Sequence, residues 1–314
     1  MNRPDVVVVG GGHAGVEASL AASRSGSRVM LVTMDASAIG RMSCNPAIGG
    51  LAKGHLVKEI DALGGVMGVA SDHTGIQFKT LNRSKGRAVW SPRAQIDKKQ
   101  YSKFVQNKIK SDPKITVLID EIVDIVVNNA SITGVKLKKY GLIDTLSVIV
   151  CGGTFMNGII HIGREQYSAG RIGEKAVSLL TSSLINQGFN LSRLKTGTPP
   201  RLLSSSINWE GLALAPGDQS PEPFSMLTKR PFFPKNTPCY IAYTNETTHA
   251  FLKDNLNESA MYMGTIDSVG PRYCPSIEDK VVRFESRNQH QLFLEPEWEN
   301  SNQIYVNGFS TSMS

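Results

Sequence analysis

A run of four valines enters three consecutive glycines near the start of the chain, in "DVVVVGGGHAGVEASLAASRSGSRVMLVT", Asp5 to Thr33. Val6 to Val9 form a continuous β-branched stretch, the pattern of a strand buried on both faces of a parallel sheet. Gly10, Gly12 and Gly15 follow as G-x-G-x-x-G, with Gly11, His13 and Ala14 between them. The first glycine permits the tight turn, the second lets backbone approach a pyrophosphate, and the third lets helix pack on strand. Ala14, Ala18 and Ala22, four apart, predict a small-residue helix face laid close against the sheet. Gly26 then ends the helix, and "RVMLVT" supplies a second strand. The N–H groups and positive dipole end at such a helix start suit a phosphate. This order of elements predicts an α/β fold with a Rossmann-like, doubly wound dinucleotide-binding domain. The second strand ends in Thr33 and Met34, with Asp35 only afterwards, where an acidic ribose contact is usual. The motif alone does not separate NAD from FAD.

Downstream, "ITVLID", "SITGVKLKKYG" and "LSVIVCGGTF" read as strands, the last running into glycines as a chain does when it returns to its cofactor. The 314 residues leave room for a second unit. The boundaries read as a cofactor domain over 1–155, an inserted mixed α/β substrate and NAD domain over 156–268, and a segment over 269–314 returning toward the cofactor. No apolar run approaches the roughly 20 residues that cross a bilayer, and no leader pattern opens the chain, so a cytoplasmic protein is expected. Cys44, Cys151, Cys239 and Cys274 lie far apart, without a CxxC pair or zinc spacing. They are expected as free thiols, and no metal is expected. Between Lys79 and Lys114, eleven Lys or Arg stand against two Asp, a local balance of +9 in a chain of net charge +7. Such a field attracts polyanions, although charge runs are usually solvated helix faces. Trp90 and Tyr101 within it are candidates for stacking on bases.

Two further stretches are dense in chemistry. "RMSCNPAIGGLAKGH", Arg41 to His55, places Cys44 before an Asn45-Pro46 turn and offers Gly49, Gly50 and Gly54 for close backbone approach to a planar ligand. Lys53 there can stabilise negative charge on a reduced ring. "LVKEIDALGG" continues as a helix with Leu56 and Ile60 on one face. "VGPRYCPSIEDKVVRF" sets Cys274 between two prolines beside Arg272, a cation that favours an ionised sulfur.

The blocks "GGGHAGVEA", "MSCNPAIGGLAKGHLVKEIDALGG", "GIQFKTLNRSKG", "RLKTGTPPR", "GPRYCPSIEDKVVRF" and "VNGFSTS" resemble, in order and spacing, the MnmG family, also called glucose-inhibited division protein A. The resemblance covers the whole chain. It implies a flavoenzyme that modifies C5 of the tRNA wobble uridine, adding a carboxymethylaminomethyl or aminomethyl group. FAD, NADH and methylene-tetrahydrofolate are implied, with tRNA as substrate, the GTPase MnmE as partner and a homodimeric state. Carried over by position, Gly10 to Gly15 hold the FAD pyrophosphate, and Ile122 contributes backbone to FAD. Gly270, Pro271, Arg272, Tyr273, Cys274, Pro275, Ser276, Ile277, Glu278, Asp279, Lys280, Val281, Val282, Arg283 and Phe284 match a stretch proposed to contact NAD. Cys44 and Cys274 match the family's two functional cysteines. One is expected as nucleophile or proton donor, Cys274 favoured for Arg272. Cys151 and Cys239 are assigned to packing. Lys53, Arg93, Lys195 and Arg201 are the candidate contacts for substrate, phosphate or folate carboxylate.

Against the family pattern, Arg87 stands for a usual proline and Val177 for a frequent serine. The chain stops after "STS", before a later glycine-rich block and a C-terminal helical domain. A C-terminally truncated chain that holds FAD weakly is therefore expected. The alternatives are a non-catalytic remnant that binds RNA or a partner, and a small-molecule FAD oxidoreductase.

Overall fold

The computed structural model describes residues 3–266 and 275–313. Val6–Val9 pairs in parallel with Val29–Thr33 on one side and with Ser147–Val150 on the other. Ile115–Ile119 extends the sheet beyond Val29–Thr33, again in parallel. Because side chains alternate along a strand, the two faces of this sheet carry different residues. Val8 and Leu31 point into a core with Val16 and Leu20 of helix His13–Arg24 and Tyr101, Val105 and Ile109 of helix Lys98–Ser111. Val7, Val9, Met30 and Val32 face the other way, toward Ile125, Val135 and Leu137 of an antiparallel meander and Leu180 and Leu184 of helix Leu179–Asn186. The Rossmann-like expectation holds, with two helices on one face and the meander with helix Leu179–Asn186 on the other. The meander's first strand, Ile122–Asn128, was not among the strands read from the pattern.

The small-residue stripe that faces the sheet sits one position round from the expected one. Gly15, Ser19 and Ser23 are buried, while Ala14 is exposed and Ala18 and Ala22 are only half-buried. The reason is steric: Gly15 must abut the glycine turn, and the stripe follows from it at intervals of four.

Between the second strand and helix Lys98–Ser111 the chain builds a small antiparallel sheet in the order Ala47–Gly49, Ser91–Ile96, Gly75–Leu81. On it docks a five-stranded antiparallel sheet, in the order Arg201–Leu203, Gln303–Asn307, Gln291–Pro296, Cys239–Tyr243, Ala213–Ala215. Polar groups join the two. Gln77 Nε2 donates to the Ala215 and Thr237 carbonyls at 3.0 and 2.8 Å, and the buried Cys239 thiol donates to Gln95 Oε1 at 2.6 Å.

Pro275 to Phe284 belongs to this second region. Ser276 caps helix Ile277–Arg283 in a reciprocal capping box with Asp279. Ile277 and Val281 pack on Leu252, with Phe309 and Met313 alongside. Among the described residues, no helix is long and apolar enough to cross a membrane.

Candidate functional site

The carboxyl ends of the parallel strands open into one cleft of about 630 Å³, where open α/β sheets place ligands. Gly10 to His13, Thr33 to Asp35, Asp120 to Ile122 and Cys151 to Met156 form its strand-end wall. The glycines divide their labour. A Cβ at Gly10 would stand 2.4 Å from the Cys151 carbonyl oxygen, and one at Gly15 would stand 1.8 Å from the Gly10 carbonyl oxygen. These two are needed for packing. A Cβ at Gly12 would meet nothing within 4 Å, since this residue faces open space at the amino end of helix His13–Arg24. No acidic residue stands in that helix's first turn, so its free N–H groups and dipole are left to an anion. The residues present fit a dinucleotide's phosphates. Asp35 does not wait free for a ribose. Its carboxylate accepts from the Ser37 N–H at 2.8 Å and hydroxyl at 2.7 Å and from Arg41 at 3.1 Å. The Ser37 hydroxyl, ahead of its N–H and Arg41, holds the Asp35 carboxyl below its ordinary value.

Arg41 to Asn45, Ala47 to Gly49 and Lys53, Leu56, Val57 and Ile60 form the opposite wall. The Asn45 side chain accepts from the Ala47 N–H at 2.6 Å, fixing the expected turn. Two of the loop's glycines serve the fold rather than a planar ligand. Cβ atoms at Gly49 and Gly54 would stand 2.3 and 2.6 Å from the Pro92 carbonyl oxygen. The Lys53–Ala62 helix turns Leu56 and Ile60 into the cleft, which explains an apolar face that remains 57% exposed at Leu56.

Cys44 is exposed at the cleft edge. Its backbone carbonyl accepts from Arg201 Nη2 at 2.7 Å and from Lys98 Nζ at 3.4 Å. Both cations share Glu297 Oε1, at 3.2 Å from Arg201 Nε and 2.8 Å from Lys98 Nζ. The Arg201 guanidinium also lies 5.0 Å from the centre of the Tyr305 ring. Burial pushes the Tyr305 hydroxyl up, and the Cys44 thiol beside it adds to the effect.

The structure therefore gathers Gly10, Gly11, Gly12, His13, Ile122, Cys44 and Lys53 around one cleft, with Arg201 on the Cys44 loop. Other sequence-derived candidates lie elsewhere. Arg93 is taken up in an ion pair with the buried Glu295 at 2.6 Å. Lys195 is buried, its Nζ 2.7 Å from Met261 Sδ. Pro275, Ser276, Ile277, Glu278, Asp279, Lys280, Val281, Val282, Arg283 and Phe284 are absent from the cleft lining. The fully buried Glu278 instead accepts from Thr311 Oγ1 at 2.7 Å and the Ser312 N–H at 3.2 Å. Gly270, Pro271, Arg272, Tyr273 and Cys274 lie outside the described residues. Tyr101 cannot stack on a base: it is 1% exposed and meets His13 edge-on at 5.6 Å. Trp90 is covered by the Arg83 and Arg87 guanidinium groups, 5.7 and 5.5 Å from its ring. Sequence reasoning missed Tyr305 and the Lys98–Glu297–Arg201 bridge, which no local pattern signals.

A parallel sheet whose glycine turn, helix start and strand ends frame one cleft defines a dinucleotide-binding protein, here with an exposed thiol at the rim. The family model described as Glucose inhibited division protein A matches residues 5–314, and the chain belongs to that family. It is 50% identical over 309 residues to the tRNA uridine 5-carboxymethylaminomethyl modification enzyme MnmG of Campylobacter fetus, covering 98% of this chain and 50% of that protein. A protein of the same name from a Sulfurihydrogenibium species is 50% identical, with coverage of 99% and 51%. The chain thus spans about half the length of the curated relatives it matches. Among solved structures, Aquifex aeolicus GidA in its form I crystal is 47% identical with a TM-score of 0.93, covering 99% of this chain and 53% of that one.

Proposed function

We propose that this chain carries the cofactor cleft of a flavin-dependent enzyme that modifies C5 of the tRNA wobble uridine. The observation that supports it best is the convergence of the Gly10–Gly12 anion cradle and the Cys44 thiol on one cleft. The names of the relatives, which are half-identical over nearly the whole chain, supply the substrate. FAD is the cofactor, NADH the reductant, methylene-tetrahydrofolate the one-carbon donor and the GTPase MnmE the partner of a cytoplasmic homodimer. Residues 1–155 hold the cofactor, residues 156–268 face the substrate and residues 269–314 run toward the flavin side, with Glu297 paired to Arg201 and Lys98 beside the Cys44 loop.

In this reading the Gly12 and His13 N–H groups bind the pyrophosphate, and Lys53 lines the cleft as a cation for charge on the reduced ring. The flavin, when bound, would supply electron transfer between NADH and the one-carbon unit. Uridine C5 is a poor nucleophile until a group adds at C6. In this reading the Cys44 sulfur forms that bond, sending the C5–C6 electron pair toward the C4 carbonyl. C5 then bonds to the folate-derived methylene, which leaves the folate nitrogen, and loss of the C5 proton with expulsion of the thiolate restores the ring. Cys274 is the second candidate for this role.

The test is a visible spectrum of the purified 314-residue chain, followed by NADH addition. A yellow protein bleached by NADH, which forms modified uridine and loses that activity in Cys44→Ser, is the expected result. A colourless chain that still binds tRNA would favour the remnant reading. A yellow chain indifferent to tRNA would favour a small-molecule oxidoreductase.

A further inference from the structure

We infer that the exposed lysine face of helix Lys98–Ser111 is the surface that holds the RNA substrate by its phosphates, beside the Cys44 rim of the cleft. This rests on the reading of the chain as part of a tRNA-modifying enzyme. The helix carries five lysines and no acidic residue in its 14 positions. Its buried stripe of Tyr101, Val105 and Ile109 fixes its rotation against the sheet. At 3.6 residues per turn, Lys99, Lys103 and Lys110 then fall within about 40° of one another, over roughly 17 Å of helix. All three are exposed. The Lys99 ammonium stands 3.8 Å from the centre of the Trp298 ring, which fixes where its charge sits. Among the described residues, the helix's one ion pair is Lys98 with Glu297, off this face.

Local physical chemistry opposes this arrangement. Lys98 and Lys99 stand in the first turn, at the positive end of the helix dipole. Lys99 and Lys103, four apart, repel each other. Elsewhere the chain matches exposed cations with carboxylates, as in Arg28 with Asp5, Lys138 with Glu121 and Arg164 with Glu258. A local rule broken without compensation within the chain marks a functional surface, and a face of one sign fits a polyanion. Its place in the fold says which. The helix begins at the thiol loop, where Lys98 Nζ lies 3.4 Å from the Cys44 carbonyl oxygen. On the flank of the lysine row, Ser102 and Gln106 donate to the Ile39 and Ser37 carbonyls at 3.0 and 2.9 Å. That segment continues through Arg41 into the cleft lining. A strand whose phosphates follow the lysines therefore runs along the rim toward Cys44. Phosphate contacts position a strand without reading its sequence, which leaves choice of the base to the cleft.

The experiment is fluorescence anisotropy of a labelled, unmodified tRNA transcript titrated with the 314-residue chain at salt from about 50 to about 200 mM. The triple variant Lys99→Gln, Lys103→Gln, Lys110→Gln should bind about ten- to hundredfold more weakly. Its slope of log affinity against log salt should shrink by about two, since each phosphate contact contributes roughly 0.7–0.9. Lys136→Gln, Lys139→Gln, Lys229→Gln removes the same charge from exposed positions elsewhere and should leave the slope nearly unchanged. Equal losses in the two variants, or none in the first, would overturn the inference, as would a wild-type chain that binds no tRNA. Polyglutamate competing as well as unlabelled tRNA would assign the face to an acidic protein and overturn it too. Thermal melts report the fold. Should the triple variant melt early, Lys103→Gln with Lys110→Gln decides, its slope shrinking by about 1.5 if the lysines hold phosphates. The measurement uses neither flavin nor NADH. A colourless chain that shows the lysine effect therefore counts against the proposed function alone. A yellow chain that modifies uridine without the effect counts against the helix face alone.

Discussion

A Cβ at Gly15 would lie 1.8 Å from the carbonyl oxygen of Gly10, so the helix that points at the cleft touches the turn that forms it. Gly15→Ala should push helix His13–Arg24 off its strand, destabilising the chain by about 1–3 kcal/mol, as overpacking does. Gly12→Ala should leave stability within about 0.5 kcal/mol, because its Cβ meets nothing. Both should release the cofactor, the first through the fold and the second by filling the anion's approach. Thermal melts beside the ratio of flavin to protein absorbance separate the two. A Gly12→Ala chain that keeps full flavin would show that the pyrophosphate does not lie there.

Arg93 should matter for stability rather than for anion binding. Its guanidinium meets Glu295 Oε1 at 2.6 Å, and Asn307 Nδ2 donates to the same oxygen at 3.1 Å. The Glu295 side chain is 2% exposed and that of Arg93 13%. Removing one partner of such a pair leaves a charge without compensation, at a cost of about 3–5 kcal/mol. Arg93→Ala should lower the urea midpoint accordingly, and adding Glu295→Gln should recover part of the loss. Loss of phosphate or flavin affinity in Arg93→Ala at unchanged stability would contradict this.

Asp5 and Arg28 tie the first strand to the turn before the second. The Asp5 carboxylate accepts from the Arg28 N–H at 2.8 Å and from its guanidinium at 2.8 Å. Chiefly through the guanidinium, Arg28 lowers the Asp5 carboxyl from 3.8 to about 2. A depressed carboxylate contributes stability that is present above its ordinary value and lost as pH falls through the folded one. The window therefore runs from about pH 4 down to about pH 2. Asp5→Asn should flatten the stability profile in that window, its cost appearing above about pH 4 and staying small because the pair is solvent-exposed. Denaturant midpoints of both chains at stepped pH check it.

What the sequence disclosed, and what it hid, follows from contact range. The strand, turn and helix of Val6 to Arg24 are written in neighbouring residues, so spacing alone places Gly10, Gly12 and Gly15. Even there the Ala14, Ala18, Ala22 stripe was one position off, because the rotation of the helix is set by Gly15 against Gly10. Cys44 stood out by its loop, but Arg201, which donates to its backbone carbonyl, arrives through pairing of distant strands. The same tertiary placement removes Lys195 and Arg93 from solution and buries Glu278 under Thr311 and Ser312. A positive charge in a sequence does not say whether its partner is a ligand or a carboxylate two hundred residues away.

Asp72 anchors the long connection before Cys239 to the cleft's rear wall. One of its carboxylate oxygens accepts from the Phe224 N–H at 2.7 Å, the other from the Ser225 N–H at 2.9 Å and the Thr228 hydroxyl at 2.5 Å. The Phe224 ring so seated is fully buried, and Gly49 of the cleft wall is the residue with room for it, since a Cβ there would come within 2.6 Å of Cζ. Asp72→Ala orphans two buried N–H groups at about 1–3 kcal/mol each. Asp72→Asn keeps one accepting oxygen and should cost roughly half as much. Because Phe224 then loses its seat, both variants should speed proteolysis between residues 216 and 238 before any global melting, with Asp72→Ala the faster. Uniform resistance of that segment in Asp72→Ala would mean that Phe224 is held by packing against Gly49 alone.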